Sequence, residues 1–298
     1  IFKNIKELNA IIDAKEYDAI YCHQNFISWI PLLIAKRKRI KVRIVHSHGC
    51  NPPKTITKKL YNGSSRMLIK LFATHFFACG QAAAHWLYGP HWKENGTKKK
   101  IIHNAIDLDK FAFSKETRQK LRKKYNVTKD LCIFHAGRFS YEKNHKFILD
   151  LFSKLPKEGY HLFLAGHGDL YPDMVKYSKK LKLENVTFLG IRKDVNELYS
   201  MADVFLLPSF HEGFPVTLVE AQASSLKCIA STNVSKETKI LPKTKYLSLE
   251  DTNSWLEEIK NTDRKDRRTE RKRLIESGFD IQKESDMFYH LLKEIVNK

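Results

Sequence analysis

Two glutamates flank a loop and helix start whose residue types could bind an anionic, hydroxyl-rich ligand. Glu212 follows an apolar strand, and Glu220 comes after seven intervening residues, about one to two turns into the next helix. Gly213 lets the backbone approach a ligand closely, and Pro215 suits the first position of a helix. Free N–H groups at the helix start favour phosphate, while carboxylates accept hydrogen bonds from hydroxyls. The stretch therefore predicts a ligand that is part phosphate and part polyol.

Two cations follow a second buried strand, which is predicted over 131–136. Gly137 allows the chain to turn, and Arg138 and Lys143 come within the next six residues. Positive charge at this point suits a reaction in which a phosphoryl leaving group gains negative charge. Taken alone, the segment also fits a basic surface turn. Its combination with 212–220 favours an anion site.

Histidines and a glycine turn follow two other predicted strands. His46 and His48 come directly after the strand 42–45, and Gly166 follows the strand 161–165. The Gly166 segment lacks the dinucleotide fingerprint, because Tyr171 stands where a glycine is required. It fits either a turn beside a nucleotide or a plain strand-to-helix turn. His46 and His48 fit either a ligand pair or structural histidines. No HExxH motif or Cys/His ligand set is present, so we expect no metal and no other cofactor.

The run E-G-F-P-V-T-L-V-E-A at 212–221 resembles the signature of retaining nucleotide-sugar glycosyltransferases of family four. The segment 137–144 is similar to the G-R-x-x-x-x-K-N motif of the same family. The resemblance covers the whole chain and is most specific over 137–231. The bacterial branch that builds capsular and exopolysaccharides fits best. The family has the GT-B fold, which implies two Rossmann-like α/β domains with doubly wound parallel sheets.

The resemblance also implies roles for individual residues. Arg138 and Lys143 would neutralise the leaving diphosphate of a UDP-sugar in place of a metal. Glu212 would orient the hydroxyls of the sugar, and His46 would lie beside it. The remaining donor-binding residues that the resemblance implies are Glu220 on the ribose, Gly213, Phe214, Val216 and Thr217 at the helix start, Ile191 at the base, Gly137 and Gly166.

Alternating strands and helices must position these side chains. The alternation predicts parallel sheets, in which ligands bind outside the carboxyl ends of the strands. We expect an acceptor domain over 1–105, a donor domain over 106–278 and a final helix over 279–298. By resemblance, that helix returns to the first domain. The family's opening strand and glycine-rich loop are missing before residue 1, so we expect the first domain to be incomplete and the activity of this chain to be in question.

The charge balance of the chain favours anionic partners. Lys and Arg number 53 against 33 Asp and Glu, which gives a formal net charge of +20. The basic runs Lys36–Lys41 and Arg264–Arg273 predict either contact with an anionic membrane surface or solvated helix ends. We expect no nucleic acid, because neither a known binding module nor interleaved aromatic residues accompany these runs.

Cysteine usage and hydropathy indicate the compartment. The five cysteines show no paired spacing, which is typical of reduced thiols. The longest apolar run, 26–35, is too short to cross a bilayer. We expect a cytoplasmic protein that is either free or peripheral on the inner face of the cell membrane.

The leading functional hypothesis is a retaining glycosyltransferase. It would move a sugar from a nucleotide diphosphate donor to a hydroxyl of a lipid-linked or growing polysaccharide acceptor. One alternative is a non-catalytic nucleotide-sugar-binding subunit or an inactive fragment. Another is a nucleotide-sugar epimerase with the same two-domain architecture. The sequence does not indicate which sugar or which linkage is involved.

Overall fold

The chain forms two compact units. The structure, a computed structural model, describes residues 2–50, 53, 55–264, 267 and 270–297, with 2–4 described by their backbone alone. The first unit comprises Ile1–Asn104 and Gln282–Lys298, and the second comprises Ala105–Ile281. Each unit is built around its own parallel sheet.

The first unit holds a four-stranded parallel sheet in the order β1-β2-β3-β4. Its strands are β1 (Ala19–Cys22), β2 (Val42–Ser47), β3 (His75–Ala78) and β4 (Lys99–Ile101). Its helices are α1 (Phe2–Asp13), α2 (Trp29–Arg37), α3 (Ile56–Phe72) and α4 (Gln81–Tyr88). The strands run in sequence order across the described sheet, so it contains no reversal of strand order.

The second unit holds a six-stranded parallel sheet in the order β10-β9-β8-β5-β6-β7. Its strands are β5 (Leu131–Ala136), β6 (Tyr160–Ala165), β7 (Val186–Gly190), β8 (Val204–Leu207), β9 (Lys227–Ser231) and β10 (Thr244–Leu247). The helices that connect and flank them are α5 (Lys115–Lys124), α6 (His145–Phe152), α7 (Tyr171–Lys180), α8 (Val195–Met201), α9 (Val216–Ala223), α10 (Thr252–Lys260) and α11 (Arg271–Glu276). The order is doubly wound, and the strand order reverses between β5 and β8. Such a switch point opens a crevice at the carboxyl ends of its two strands.

Both faces of the second sheet are buried. Along β5, Phe134 packs into a cluster with Phe163 and Phe205, while Ile133 packs into the cluster on the opposite face with Leu206. Helices cover both faces, so the central strands β5 and β8 are buried along their whole length and mostly apolar, as expected for a parallel sheet.

The last helix, α12 (Ile281–Val296), packs in the first unit. Its Leu291 and Ile295 lie in one apolar cluster with Ile44 and Phe77 of the sheet. The apolar residues of this final helix thus form a face that packs against the sheet.

Some local predictions are confirmed and others need correction. The strand predicted over 131–136 is β5, and the apolar strand predicted before Glu212 is β8. Pro215 is not the first residue of α9: it precedes the helix as its N-cap. The apolar run 26–35 is divided between a 3-10 turn at Asn25–Ser28 and the helix α2. Sequence analysis also missed α7 and α11.

A buried ion cluster joins α5 to the sheet. Asp203 directly precedes β8, and its carboxylate accepts from the guanidinium groups of Arg118 and Arg122. It also accepts from the backbone N–H of Cys132, at 2.7 Å. Asp203 and Arg122 are both buried, so each charge depends on the other for compensation.

We expect Asp203→Ala to destabilise the second unit by roughly 3–5 kcal/mol, because it leaves buried guanidinium charge without a counter-ion. Urea unfolding followed by circular dichroism measures the loss. Glu184→Ala, which removes an exposed carboxylate, is the control and should change stability by less than about 0.5 kcal/mol. Equal stability of the two variants would contradict a structural role for the cluster.

Candidate functional site

The candidate site lies at the switch point of the second sheet. The loop 137–144 follows β5, and the loop 208–215 follows the neighbouring strand β8. Parallel strands carry both loops to the same edge of the sheet. The two motifs singled out in the sequence, with their cations and carboxylates, are therefore adjacent.

Four interactions join these two loops. The ammonium group of Lys143 forms an ion pair with the carboxylate of Glu212. The backbone N–H of Phe210 donates to the carbonyl of Glu142 at 2.9 Å, and the rings of Tyr141 and Phe210 stack with centroids 4.8 Å apart. Asn144, in a left-handed conformation with φ 55°, donates from its side-chain amide to the carbonyl of Pro208 at 3.2 Å. The loops are thus held together by backbone and side-chain contacts as well as by charge.

Glu212 is also fixed from its other side. The hydroxyl of Ser209 donates to its Oε1 at 3.1 Å, and the N–H of Ser235 donates to its backbone carbonyl at 3.0 Å. Ser231, at the end of β9, donates to the carbonyl of Ser209 at 2.5 Å. The carboxylate and the ammonium of Lys143 are both only partly exposed, so the pair is more than a loose surface contact.

A close backbone contact holds the loop after β5 against the loop after β6. Gly166 has φ +131°, and a Cβ at this position would lie 1.9 Å from the carbonyl oxygen of Gly137. The next glycine is equally confined, since a Cβ on Gly168 would lie 2.5 Å from the carbonyl oxygen of Phe139. Only glycine fits at either position, which explains the G-H-G sequence without a nucleotide.

Glu220 lies on α9, on the helix that follows Glu212. Its Oε2 accepts a hydrogen bond of 2.8 Å from the hydroxyl of the buried Tyr199. Burial raises the pKa of Glu220, and the hydrogen bond from Tyr199 opposes that shift. Among the described residues Oε1 of Glu220 has no hydrogen-bond donor, so one oxygen is left to accept from a ligand hydroxyl.

Arg138 lies apart from the Lys143–Glu212 pair. Its guanidinium is 68% exposed and contacts the carboxylate of Asp169 at 3.3 Å. The exposed contact leaves the side chain free to turn toward a bound anion. Its role as a partner of Lys143 stays a prediction.

The other residues predicted to bind a donor lie on the same edge of the sheet. Ile191 follows β7 and is 81% exposed. Val216 is the first residue of α9, and the hydroxyl of Thr217 is buried without a hydrogen-bond partner among the described residues. Phe214 is buried, with its ring 5.8 Å from that of Phe279. The backbone after Gly213, rather than the Phe214 side chain, is therefore the part available to a ligand.

The first unit carries a group of three histidines at the carboxyl ends of β1 and β2. Ring nitrogens of His23, His46 and His48 lie within 4.8 Å of one another, which is a donor set that a divalent transition metal can use. In the structure they engage protein partners: His23 Nδ1 lies 2.8 Å from His48 Nε2, and His46 Nδ1 hydrogen-bonds to the hydroxyl of Tyr21.

Burial, together with repulsion from His48 and His23, lowers the pKa of His46 to about 2. His46 therefore acts at neutral pH as an uncharged group. Its assignment to the sugar stays a prediction, as does the absence of a metal.

Sequence analysis missed several partners of the predicted residues. Asn144 ends the segment 137–144, and Ser209 lies three residues before Glu212. Both could have been chosen as polar loop residues that bond to backbone. His23 directly follows β1, just as His46 follows the strand predicted over 42–45. The same reasoning could therefore have found His23. Tyr199 had no sequence signal, because its pairing with Glu220 depends on how α8 packs against α9.

Residues 117–261 match the sequence model of the family described as "Glycosyl transferases group 1". Over these residues the chain is similar to group 1 glycosyltransferases. The match spans most of the second unit, including both loops of the candidate site. The resemblance predicted from the E-x₇-E and G-R-x-x-x-x-K-N motifs is confirmed.

Curated relatives agree with this assignment. EpsF of Bacillus subtilis (strain 168), which is named as a glycosyltransferase, is 33% identical over 77% of this chain and 61% of its own length. An Escherichia coli enzyme named UDP-Gal:alpha-D-GlcNAc-diphosphoundecaprenol alpha-1,3-galactosyltransferase is 30% identical over 45% of this chain and 36% of its own. The chain thus spans less than two thirds of the length of these curated relatives.

Solved structures show the same fold. HepE of Anabaena in complex with UDP superposes with a TM-score of 0.81 at 20% identity, over 97% of this chain and 82% of that one. WaaG, a glycosyltransferase involved in lipopolysaccharide biosynthesis, superposes with a TM-score of 0.62 at 14% identity, over 87% and 86%. The predicted GT-B fold, with two parallel-sheet α/β domains, is confirmed.

We expect Gly166→Ala to cost more stability than Gly159→Ala. Both glycines have positive φ, so each alanine suffers backbone strain of roughly 1–2 kcal/mol. Only Gly166 also faces a backbone carbonyl, whereas a Cβ on Gly159 meets nothing within 4 Å. Urea unfolding, combined with amide hydrogen exchange at Gly137, measures the difference. Similar losses in the two variants would show that the Gly137–Gly166 contact does not constrain the loops.

Acid should destabilise the second unit as the pH falls below about 6.5. Burial lowers the pKa of His135 to about 4 and that of His145 to about 2, so the unfolded chain takes up these protons first. Their contribution to stability is complete above the unfolded pKa and declines below it. His145→Phe removes one such group and should reduce the slope of the unfolding free energy between pH 6 and 5 by about 1.4 kcal/mol per pH unit. Urea unfolding across this range tests it, with the exposed His167→Phe as the control. An unchanged slope in His145→Phe would contradict the account.

Proposed function

We propose that this glycosyltransferase transfers a sugar, with retention of configuration, from a UDP-sugar to a hydroxyl of a lipid-linked or growing polysaccharide. The observation that supports it is the Lys143–Glu212 pair at the switch point between β5 and β8. The donor combines an anionic diphosphate with a hydroxyl-rich sugar, so an ammonium beside a carboxylate can bind both parts. The ammonium meets the diphosphate, and the carboxylate accepts from the hydroxyls of the sugar.

Donor binding divides between the loops. The diphosphate lies against Lys143 and the N–H groups at the start of α9, where the helix dipole favours negative charge. Glu220 accepts from the ribose through the oxygen that Tyr199 leaves free. The exposed backbone around Ile191 contacts the base.

Catalysis depends on stabilising the negative charge that develops on the leaving diphosphate. As the bond between the sugar and the diphosphate breaks, negative charge collects on the leaving oxygens, and fixed cations stabilise that state more than the ground state. A cation about 4 Å away contributes roughly 4 kcal/mol at an effective dielectric near 20, before desolvation. Lys143 is held in place by Glu212, and the exposed Arg138 joins it on the diphosphate, so no metal is required. The leaving phosphate takes the proton of the acceptor hydroxyl on the same face of the sugar, which gives retention.

The acceptor class rests on the relatives. The E. coli relative is named for a diphosphoundecaprenol substrate, and two others are named for amylovoran and capsular polysaccharide biosynthesis. By analogy, the acceptor of this chain is a membrane-linked glycan.

Only part of the predicted basic surface is available to a membrane. The run Lys36–Lys41 is exposed except for Ile40. In the run Arg264–Arg273, residues 265, 266, 268 and 269 lie outside the described residues. The described Arg264 and Arg267 donate to backbone carbonyls of the second unit, and Arg271 pairs with Asp109. Membrane contact is therefore proposed for the first unit, while these three arginines stabilise the second unit.

We expect Glu220→Ala to weaken UDP binding by roughly tenfold to a hundredfold, since a charge-assisted hydrogen bond to the ribose is lost. Arg138→Ala should mainly lower kcat, by about a hundredfold, because its contact forms as the diphosphate leaves. Calorimetry with UDP and a UDP-release assay on a panel of nucleotide sugars measure both, with Glu184→Ala and Lys176→Ala as exposed controls. Unchanged affinity in Glu220→Ala would remove the ribose assignment. UDP binding without turnover on any donor would favour a non-catalytic binding protein.

A further inference from the structure

One face of α3 is apolar and points into solvent. Ile56, Leu60, Met67 and Leu71 are 79%, 70%, 67% and 60% exposed. At 100° per residue their spacing places all four within an arc of about 60° on the helix. We call this set the α3 stripe. Scattered exposed apolar residues are ordinary, but four large ones aligned on one helix form a continuous apolar surface.

The α3 stripe is not needed to hold α3 on its unit. The opposite face, formed by Asn62, Ser65, Ile69 and Phe72, is the buried one. Two of these inward residues are polar, so the helix buries its less apolar face and exposes its more apolar one. This reverses the usual arrangement of a surface helix, and the exposed face is therefore suited to a partner outside the unit.

The surroundings of the α3 stripe are positively charged. Lys59 and Lys70 are exposed and border the stripe on one side of the helix. The ammonium of Lys36 lies 5.5 Å from the ring centre of Phe72, which brings the basic end of α2 beside the end of α3. The helix contains no acidic residue. A partner must therefore offer apolar volume and negative charge together.

We propose that α3 docks the protein on an anionic lipid bilayer. The helix lies in the plane of the interface, with the α3 stripe inserted among the acyl chains and with Lys59, Lys70 and the Lys36–Lys41 run at the phosphate level. Bound apolar area and attraction to anionic lipids are the two contributions that anchor such helices. A nucleic acid offers charge without apolar volume. A second copy of the chain, paired stripe to stripe, would bring the flanking lysines into mutual repulsion.

Vesicle co-sedimentation tests the proposal without any nucleotide sugar, so its result is independent of the transfer function. The full 298-residue chain is mixed with phosphatidylcholine vesicles and with vesicles that also contain phosphatidylglycerol. We expect clear binding to the anionic vesicles, weaker binding to the neutral ones, and a decrease with added salt because the Debye length shortens.

Matched variants separate the two contributions. Leu60→Gln/Met67→Gln, both at exposed positions, should reduce binding to anionic vesicles by roughly tenfold or more. Its control is Ile11→Gln, an exposed apolar residue on α1 of the same unit. Lys59→Gln/Lys70→Gln should reduce binding to anionic vesicles by about tenfold and leave binding to neutral vesicles unchanged. Its control is Lys176→Gln/Lys179→Gln, two exposed lysines on α7. Circular dichroism checks that each variant is folded.

Three results would overturn the proposal. The first is a wild-type chain that fails to bind anionic vesicles. The second is a folded Leu60→Gln/Met67→Gln variant that binds as well as its Ile11→Gln control. The third is a concentration-dependent dimer, seen by light scattering without lipid and abolished by the Leu60→Gln/Met67→Gln change, which would make the α3 stripe an interface between copies.

Discussion

The ion pair between Lys143 and Glu212 is the interaction on which the candidate site depends. It joins two loops that are far apart in the chain and adjacent in space only because β5 and β8 pair in the sheet. The pair serves two purposes. It fixes an ammonium and a carboxylate at the edge where parallel sheets bind ligands, and it keeps both charges compensated while no ligand is bound.

The rest of the second unit supports that pair in layers. The Gly137–Gly166 contact holds the loop after β5 against the loop after β6, and Ser209 holds the carboxylate from the side of β8. Below the loops, apolar clusters on both faces clamp the central strands, and the Asp203 cluster ties α5 to them. Close steric contact confines the glycines, a hydrogen bond from Ser209 positions Glu212, and ion pairs hold the Asp203 cluster together. The arrangement is preorganised, as a site that stabilises developing charge must be.

The sequence predicted the chemistry of the site better than its contacts. Spacing and residue type were enough to select Glu212, Glu220 and Lys143, because short motifs encode the loops at strand ends. They could not show that Lys143, rather than Arg138, pairs with Glu212, since that choice depends on the local conformation of the loop, where a 3-10 turn at Tyr141–Lys143 precedes the left-handed Asn144. The same limit applies to α3. Its period predicts a helix over 60–71, but periodicity alone does not reveal that Leu60 and Met67 face outward while Asn62 and Ser65 face inward.

The central proposal is that UDP binds at the switch point, across the ends of β5 and β8. Nitrogen-15 amide chemical shifts, recorded while UDP is titrated into the labelled chain, test it most directly. The account predicts that the largest shifts fall on the amides of Lys143, Gly213, Phe214 and Val216, which line the proposed diphosphate position. Saturable shifts confined to other edges of the second unit or to the first unit, or no shifts at millimolar UDP, would contradict it.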